Sequence, residues 1–361
     1  MHGMPLQIQK TRKSRLPGVD MNDLAFGKHY GDHMYQADWY DGEWRDLRIV
    51  PYEALALAPS TFALHYGQSI FEGLKAYRNK EQEAILFRPE QNARRFNISA
   101  ARMGMPTIPE DMFMESLQEL VHLDRDWIPQ QEAGSLYVRP FMFSADEHIG
   151  IRPTNYFKYI VITSPSGVYY NKPVKVLVAD RYVRAFPGGT GFAKAAGNYG
   201  ATMLPLLEAQ KLGYDQILWT DGMEHKYAEE IGTMNVFFYI NDILYTPGLD
   251  GTILDGVTRN SVIQMATHYG IEVRETKVAI PDVVEAIRNG SLSDAFGVGT
   301  AASVIPISHL GVKEEMLALP ALESRPLSHR LKNDIDAIRT GQAPDLFGWV
   351  HKVKSTLEVG V

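Results

Sequence analysis

Lys194 stands in the run Pro187-Gly-Gly-Thr-Gly-Phe-Ala-Lys-Ala-Ala-Gly-Asn-Tyr-Gly200, one amine among glycines and small residues. A lysine side chain is ordinarily hydrated and protonated, but burial without a nearby anion disfavours the charged form and leaves a nucleophile that can form an imine with a carbonyl. The glycines let backbone and cofactor approach closely. A surface lysine in a flexible loop would have the same local composition, so the chemistry depends on what the chain carries elsewhere at compatible spacing.

Other chemistries are excluded more directly. With no cysteine in 361 residues, disulfides, thiol nucleophiles, iron–sulfur clusters and cysteine-type zinc sites are all ruled out. The eleven histidines assemble no metal motif: His29 and His33 are four apart, but Gly31 and Asp32 between them read as a turn, and no metal is expected. Dinucleotide and Walker A glycine patterns are missing, and Gly188–Gly191 does not follow a fingerprint. Reactive groups must therefore come from Lys, Tyr, Glu, Arg, His or a cofactor.

Composition sets the frame for those groups. The chain is 45% hydrophobic and 22% charged, enough apolar material for about two cores. A formal charge of −7, with acidic and basic residues interspersed, argues against a nucleic-acid partner and for a small-molecule enzyme or binding protein. No run approaches the roughly 18 apolar residues of a membrane span, and Met1–Pro5 lacks the apolar region of a signal peptide. A cytoplasmic location without membrane attachment is the expectation.

The elements that must position the chemistry fall into two groups. Residues 1–163 mix strands at Ile85–Phe87, Leu136–Arg139 and Tyr159–Thr163 with helices near 67–75, 90–103 and 110–125, an α+β domain. The breaker-rich stretch 164–173 reads as an interdomain linker. The larger domain, 174–361, carries Lys194. It opens with strand Val174–Val178 and continues with a helix near 199–212, strands Gln216–Thr220 and Asn235–Ile240, the loop Asp250–Gly256, a helix Thr258–Tyr269 and strand Glu272–Glu275. No internal repeat is evident, and a cofactor between two domains is geometrically natural.

Six blocks then follow one another at compatible gaps: Leu64-His-Tyr-Gly-Gln-Ser-Ile-Phe-Glu-Gly-Leu-Lys-Ala-Tyr77, Ser135-Leu-Tyr-Val-Arg-Pro140, the Lys194 segment, Glu230-Ile-Gly-Thr-Met-Asn-Val-Phe237, Leu254-Asp-Gly-Val-Thr-Arg259 and Phe296-Gly-Val-Gly-Thr-Ala-Ala302. Together they resemble the branched-chain amino acid aminotransferases, and the likeness covers most of the chain. The resemblance implies pyridoxal 5′-phosphate in the two-domain fold of D-amino acid and branched-chain aminotransferases, with the cofactor at the domain interface. It is not the larger fold of aspartate aminotransferase.

Each role implied by the resemblance can be weighed against chemistry. Lys194 matches the Schiff-base lysine, which also carries the proton between Cα and the cofactor. Glu230 matches the carboxylate that keeps the pyridine nitrogen protonated; Glu229 adjoins it, and either could face solvent. Thr233 follows in the same block. Tyr199 would donate to the cofactor's phenolate oxygen, although a tyrosine covering the core is as common. Arg95 aligns with the phosphate-binding arginine, where a guanidinium fork suits phosphate oxygens; Arg94 leaves the assignment ambiguous.

The Gly256-Val257-Thr258 turn opens a helix whose N–H groups and dipole suit an anion, though Thr258 could equally be a helix cap. Thr300 would hold phosphate with it, and the Thr300-Ala301 turn resembles the element that receives a substrate α-carboxylate.

For the substrate, Phe26, Tyr66, Phe71, Tyr137 and Tyr169 match an aromatic pocket that favours leucine, isoleucine or valine, although a core cluster would use the same residues. Arg139 matches the arginine that receives the distal carboxylate of glutamate or 2-oxoglutarate, with Tyr66 assisting through its hydroxyl. An apolar pocket separates single methylenes by only about 1–3 kcal/mol, so all three branched amino acids are expected substrates.

The Cys pair that some relatives carry after the Thr-Ala turn is replaced by Ala302 and Ile305. A D-amino acid aminotransferase or aminodeoxychorismate lyase of the same fold is the nearest alternative, set against by Arg139 and the Glu230 block. A silent binding protein of this fold would be marked by loss of Lys194, and a scaffold or nucleic-acid role has only scattered charges behind it. The resemblance also implies a homodimer. Residues after about 310 carry no assigned chemistry.

Overall fold

The computed structural model describes residues 5–130, 134–167 and 172–355. Their contacts form two compact units: one holds the described residues of Met1–Tyr169, Lys194–Ala196 and Ala337–Val361, the other those of Tyr170–Ala193 and Gly197–Asp336.

The first unit is an open sheet, in the order Gln7–Ile8, Glu43–Pro51, His33–Tyr40, Phe157–Ser166, Ser135–Ser144, Leu74–Arg78, Ala84–Phe87 and Val350–Lys352, with Ser69–Phe71 paired beside Ser135–Ser144. Helices Pro89–Arg102 and Glu110–Leu123 close over it. Their apolar faces, Ala93, Phe96 and Ala100 on one and Phe113, Leu117 and Leu120 on the other, recur at helical spacing and pack on Tyr35, Leu136, Val138 and Tyr159 of the sheet.

The second unit is a sheet that closes on itself. Ala228–Ile231, Gln216–Thr220, Val174–Val178, Ser303–Val312, Leu292–Gly299 and Met234–Ile240 pair in turn, and the last returns to the first. Ile243–Thr246 and Glu272–Glu275 extend it. Helix Ile280–Arg288 buries Ile280, Val283 and Ala286 with Val236, Ala295 and Ile307 of the strands. Among the described residues no helix is long and apolar enough to cross a membrane, and no group of three His, Asp or Glu could hold a metal ion.

Several expectations need correction. The helix near 67–75 is replaced by a five-residue helix Phe62–Tyr66, stopped by Gly67 at φ 64, followed by strands Ser69–Phe71 and Leu74–Arg78. The helix near 199–212 is two, Gly197–Gly200 and Met203–Lys211. Ser164–Ser166 of the expected linker belong to strand Phe157–Ser166, because their backbones pair with Ser135–Tyr137.

The larger domain does not run unbroken from 174 to 361. Residues from Ala337 return to the first unit, since Val350–Lys352 pairs with Ile85–Phe87, and Lys194–Ala196 also groups there.

Candidate active site

In the first unit the Lys194 segment is pinned by its backbone. Phe71 N–H donates to Lys194 O at 3.1 Å and Ala196 N–H to Ser69 O at 3.0 Å, a short antiparallel bridge. Lys194 N–H donates to Ser99 Oγ at 2.9 Å. The side chain is half-buried and its Nζ stands 4.9 Å above the Phe71 ring.

The same ring carries a second cation. The Arg139 guanidinium lies 4.7 Å from the Phe71 centroid and 5.2 Å from that of Tyr137, and its Nη2 donates to the Tyr137 hydroxyl at 2.9 Å. Among the described residues no carboxylate pairs with Arg139, and its buried Nε has no hydrogen-bond partner. Tyr137 can sit there because Gly73 is beside it: a Cβ on Gly73 would meet the Tyr137 hydroxyl at 1.9 Å.

Phe26 stacks edge-on against Tyr137 at 4.8 Å. Tyr66 packs on Phe62 at 4.6 Å and is 37% exposed. Arg139 has the Tyr137 hydroxyl beside it, and the Tyr66 ring lies against Phe62 of its own helix. Tyr169 lies outside the described residues.

Helix Pro89–Arg102 settles which of two adjacent arginines is internal. Arg95 shares the buried face with Asn92, Ser99 and Phe96, whereas Arg94 is exposed. Arg95 pairs with Glu72, Nε to Oε1 at 2.7 Å and Nη2 to Oε2 at 2.8 Å. Burial alone would raise the Glu72 carboxyl, but the Arg95 charge and hydrogen bonds, with a further contribution from Lys194, hold it below the usual carboxylate range.

In the second unit, strand Ala228–Ile231 buries both Glu229 and Glu230. Neither faces solvent, against the surface alternative. Glu230 Oε2 lies 3.3 Å from Arg184 Nε, and Oε1 accepts from Leu254 N–H at 2.7 Å and more weakly from Asn235 Nδ2 at 3.5 Å. Asn235 Nδ2 also donates to Leu254 O at 2.9 Å, and a Cβ on Gly256 would strike Asn235 Oδ1 at 2.0 Å. Arg184 Nη2 donates to the carbonyls of Gly191 and Thr252.

Glu229 is different. Burial pushes its carboxyl up to about 7, opposed by the Thr252 hydroxyl and Arg184 and reinforced by Asp250 and Glu230, and Oε2 has no hydrogen-bond partner.

Thr258 is buried in the first turn of helix Val257–His268, whose N-cap is Gly256. As the second helical residue Thr258 is not the cap, so its hydroxyl is not explained by capping. Thr300 and Ala301 form the turn between strands Leu292–Gly299 and Ser303–Val312, both half-buried. Tyr199 is half-buried in the short helix Gly197–Gly200. The neighbouring Asn198 braces the glycine-rich loop by donating to Thr190 O at 2.8 Å and Ala193 O at 2.9 Å. Thr233 is exposed in a hairpin turn, with Gly232 at φ 54.

Sequence reasoning missed Glu72, Asn92, Ser99, Arg184 and Asn235 as partners. Glu72 and Asn235 lay inside the blocks already singled out, and Asn92, Arg95 and Ser99 share one helical face, a polar stripe visible in the sequence.

Comparison with known proteins bears on these two groups. Residues 69–310 match the family described as amino-transferase class IV. A Bacillus subtilis protein, branched-chain-amino-acid aminotransferase 2, is 43% identical over 98% of each chain. Among solved structures, the Escherichia coli branched-chain amino acid aminotransferase superposes with TM-score 0.74 at 26% identity, over 90% of this chain and 100% of that one. The branched-chain amino acid aminotransferase of T.th., complexed with N-(5′-phosphopyridoxyl)-L-glutamate, gives 0.70 at 26% identity over 88% and 98%.

Proposed function

The chain belongs to the class IV aminotransferases, and from that premise we propose that it moves the amino group of leucine, isoleucine or valine to 2-oxoglutarate, giving the branched 2-oxo acid and glutamate. One observation carries the substrate assignment: Lys194 Nζ and the Arg139 guanidinium stand over the same Phe71 ring, at 4.9 and 4.7 Å. An apolar side chain gains from the Phe71, Tyr137 and Phe26 rings, and a distal carboxylate gains from a half-buried guanidinium that no acidic side chain among the described residues neutralises. A transaminase alternating between an apolar and an acidic amino acid needs both. This favours the branched-chain reading over other chemistries of the fold.

The family's cofactor is pyridoxal 5′-phosphate, and the residues present fit it. Its aldehyde calls for an amine, which Lys194 supplies; its ring nitrogen calls for a carboxylate, and Glu230 is a buried one paired with Arg184. Its phosphate calls for a guanidinium and helix-start N–H groups, as Arg95, Val257 and Thr258 provide, with the Thr300 hydroxyl. Gly256, where a Cβ would strike Asn235 Oδ1, lets that side chain brace the turn that opens the helix. Tyr199 would donate to the phenolate oxygen.

When bound, the cofactor supplies an electron sink that lets the substrate Cα lose its proton. Lys194 Nζ takes that proton and returns it, Glu230 holds the ring-nitrogen proton in place, and the Thr300-Ala301 backbone receives the α-carboxylate.

The protein is proposed to act as a homodimer. Helix Met203–Lys211 exposes Met203, Leu204 and Leu207 at 52, 56 and 55%, an apolar stripe suited to a second copy.

The test is the absorption spectrum of the cofactor-loaded protein titrated with L-leucine and then 2-oxoglutarate, beside Lys194→Ala. Loss of the band with leucine, recovery with 2-oxoglutarate and no cycle in the variant support the scheme. A band indifferent to leucine would move the assignment to another enzyme of the fold.

A further inference from the structure

We propose that Glu72 is a positioning residue for the cofactor phosphate, a buried carboxylate that fixes the plane of the Arg95 guanidinium. The inference rests on the reading of Arg95 as a phosphate ligand and deepens it.

Glu72 is 0% exposed. Its Oε1 accepts from Arg95 Nε, and its Oε2 accepts three N–H groups: Arg95 Nη2 at 2.8 Å, Asn92 Nδ2 at 2.7 Å and Gly73 N at 3.1 Å. Only an ionised carboxylate can take four donors in this pattern. A glutamine in its place sets an amide N–H against at least one of them, or turns its oxygen to Oε2 and leaves Arg95 Nε facing an NH2.

A buried ion pair gains little stability over apolar packing, so its presence calls for another role. Occupation of the Nε and Nη2 edge leaves a planar guanidinium one orientation, and Nη1 then points in one direction.

The arrangement extends along the helix. Ser99 Oγ donates to Arg95 O at 2.9 Å and accepts the Lys194 N–H, so one face of Pro89–Arg102 locates both the guanidinium and the lysine backbone.

Removing the Glu72 charge has two opposed effects. Arg95 gains net positive charge toward a dianion, and it loses its fixed geometry. Arginine recognises phosphate through directed, paired N–H bonds, so the geometric loss prevails.

The full-length protein, stripped and reloaded, is titrated with pyridoxal phosphate and with pyridoxal, which lacks the phosphate. Any effect of Glu72 on Lys194 or on general folding enters both constants and cancels in their ratio. Glu72→Gln is expected to weaken pyridoxal phosphate about tenfold or more and pyridoxal by less than about threefold. Asn92→Ala, which removes one donor to Oε2, shifts the ratio in the same direction by a smaller factor and serves if the first variant does not fold.

Equal weakening of both ligands, or tighter binding of pyridoxal phosphate, overturns the proposal. Arg95→Leu separates the two levels. If it loses the phosphate preference while Glu72→Gln and Asn92→Ala keep it, Glu72 has no positioning role and Arg95 stands. If it keeps the preference, the phosphate reading of Arg95 falls and the role of Glu72 falls with it.

Discussion

Replacing Glu229 with glutamine removes an ionisation that the fold resists. The residue is 4% exposed, its carboxyl is pushed up to about 7 from an ordinary 4.5, and its neighbours include two further carboxylates, Asp250 and Glu230, against the single guanidinium of Arg184. Between those two values the folded protein holds a proton that the unfolded chain has released. Stability therefore falls as pH rises from about 4.5 to about 7, and stays at the lower level above.

At about 1.4 kcal/mol per tenfold, the cost at pH 8 comes to about 3 kcal/mol. The amide of Glu229→Gln mimics the protonated acid at all pH. The variant should lie within about 1 kcal/mol of the wild type at pH 5 and exceed it by about 3 kcal/mol at pH 8. Urea denaturation of the full-length protein at pH 5, 6, 7 and 8 measures the difference. Asp250→Asn, which removes a charge that holds the proton on Glu229, should move the break to lower pH. A wild-type minus variant difference that is flat with pH, or that shrinks as pH rises, refutes the reasoning.

Arg139→Leu should retain amino transfer from leucine while raising the KM for 2-oxoglutarate about 10- to 100-fold, read from the two half-reactions separately. Gly73→Ala drives a methyl into the Tyr137 hydroxyl; it should cost about 1–3 kcal/mol in denaturation and reproduce the 2-oxoglutarate defect through a displaced Arg139. Leu204→Glu with Leu207→Glu should convert a dimer to a monomer in sedimentation velocity, and an unchanged sedimentation coefficient would place the interface elsewhere.

The candidate reacting groups are legible through the order and spacing of blocks along the chain rather than through local pattern. Lys194 among glycines, Glu230 beside Glu229 and Thr258 at a helix start each have an ordinary local reading, and only the six ordered blocks single them out. The fold was legible where one period dominates: Asn235–Ile240 and Thr258–Tyr269 were placed within a residue or so of Met234–Ile240 and Val257–His268. It failed at Ser69–Arg78, where Leu74–Tyr77 are buried on both faces and the alternation that marks a strand is absent.

What could not be read is tertiary. Val350–Lys352 completes a sheet edge against Ile85–Phe87 from the far end of the chain, and no local signal announces it. Glu72 and Arg95 are 23 residues apart, and their pairing needs the strand and the helix to be in place first.

A glycine-rich loop is a poor support for a reacting amine, since its backbone freedom would let Nζ wander by more than catalysis tolerates. The structure answers this by bracing the loop through Asn198 and by tying the lysine itself to regular elements. Three backbone hydrogen bonds, to Ser69, from Phe71 and to Ser99 Oγ, fix residues 194–196 onto a strand and a helix. The strand, Ser69–Phe71, pairs in turn with Ser135–Ser144, Phe71 opposite Phe141, and that second strand carries Tyr137 and Arg139. The amine and the guanidinium are thus both referenced to Phe71 through rigid hydrogen-bonded ladders. On the proposed roles of Lys194 and Arg139, a substitution at Phe71 should disturb amino transfer and the choice between an apolar and an acidic side chain together, whereas Arg139 can be altered with Lys194 left in place.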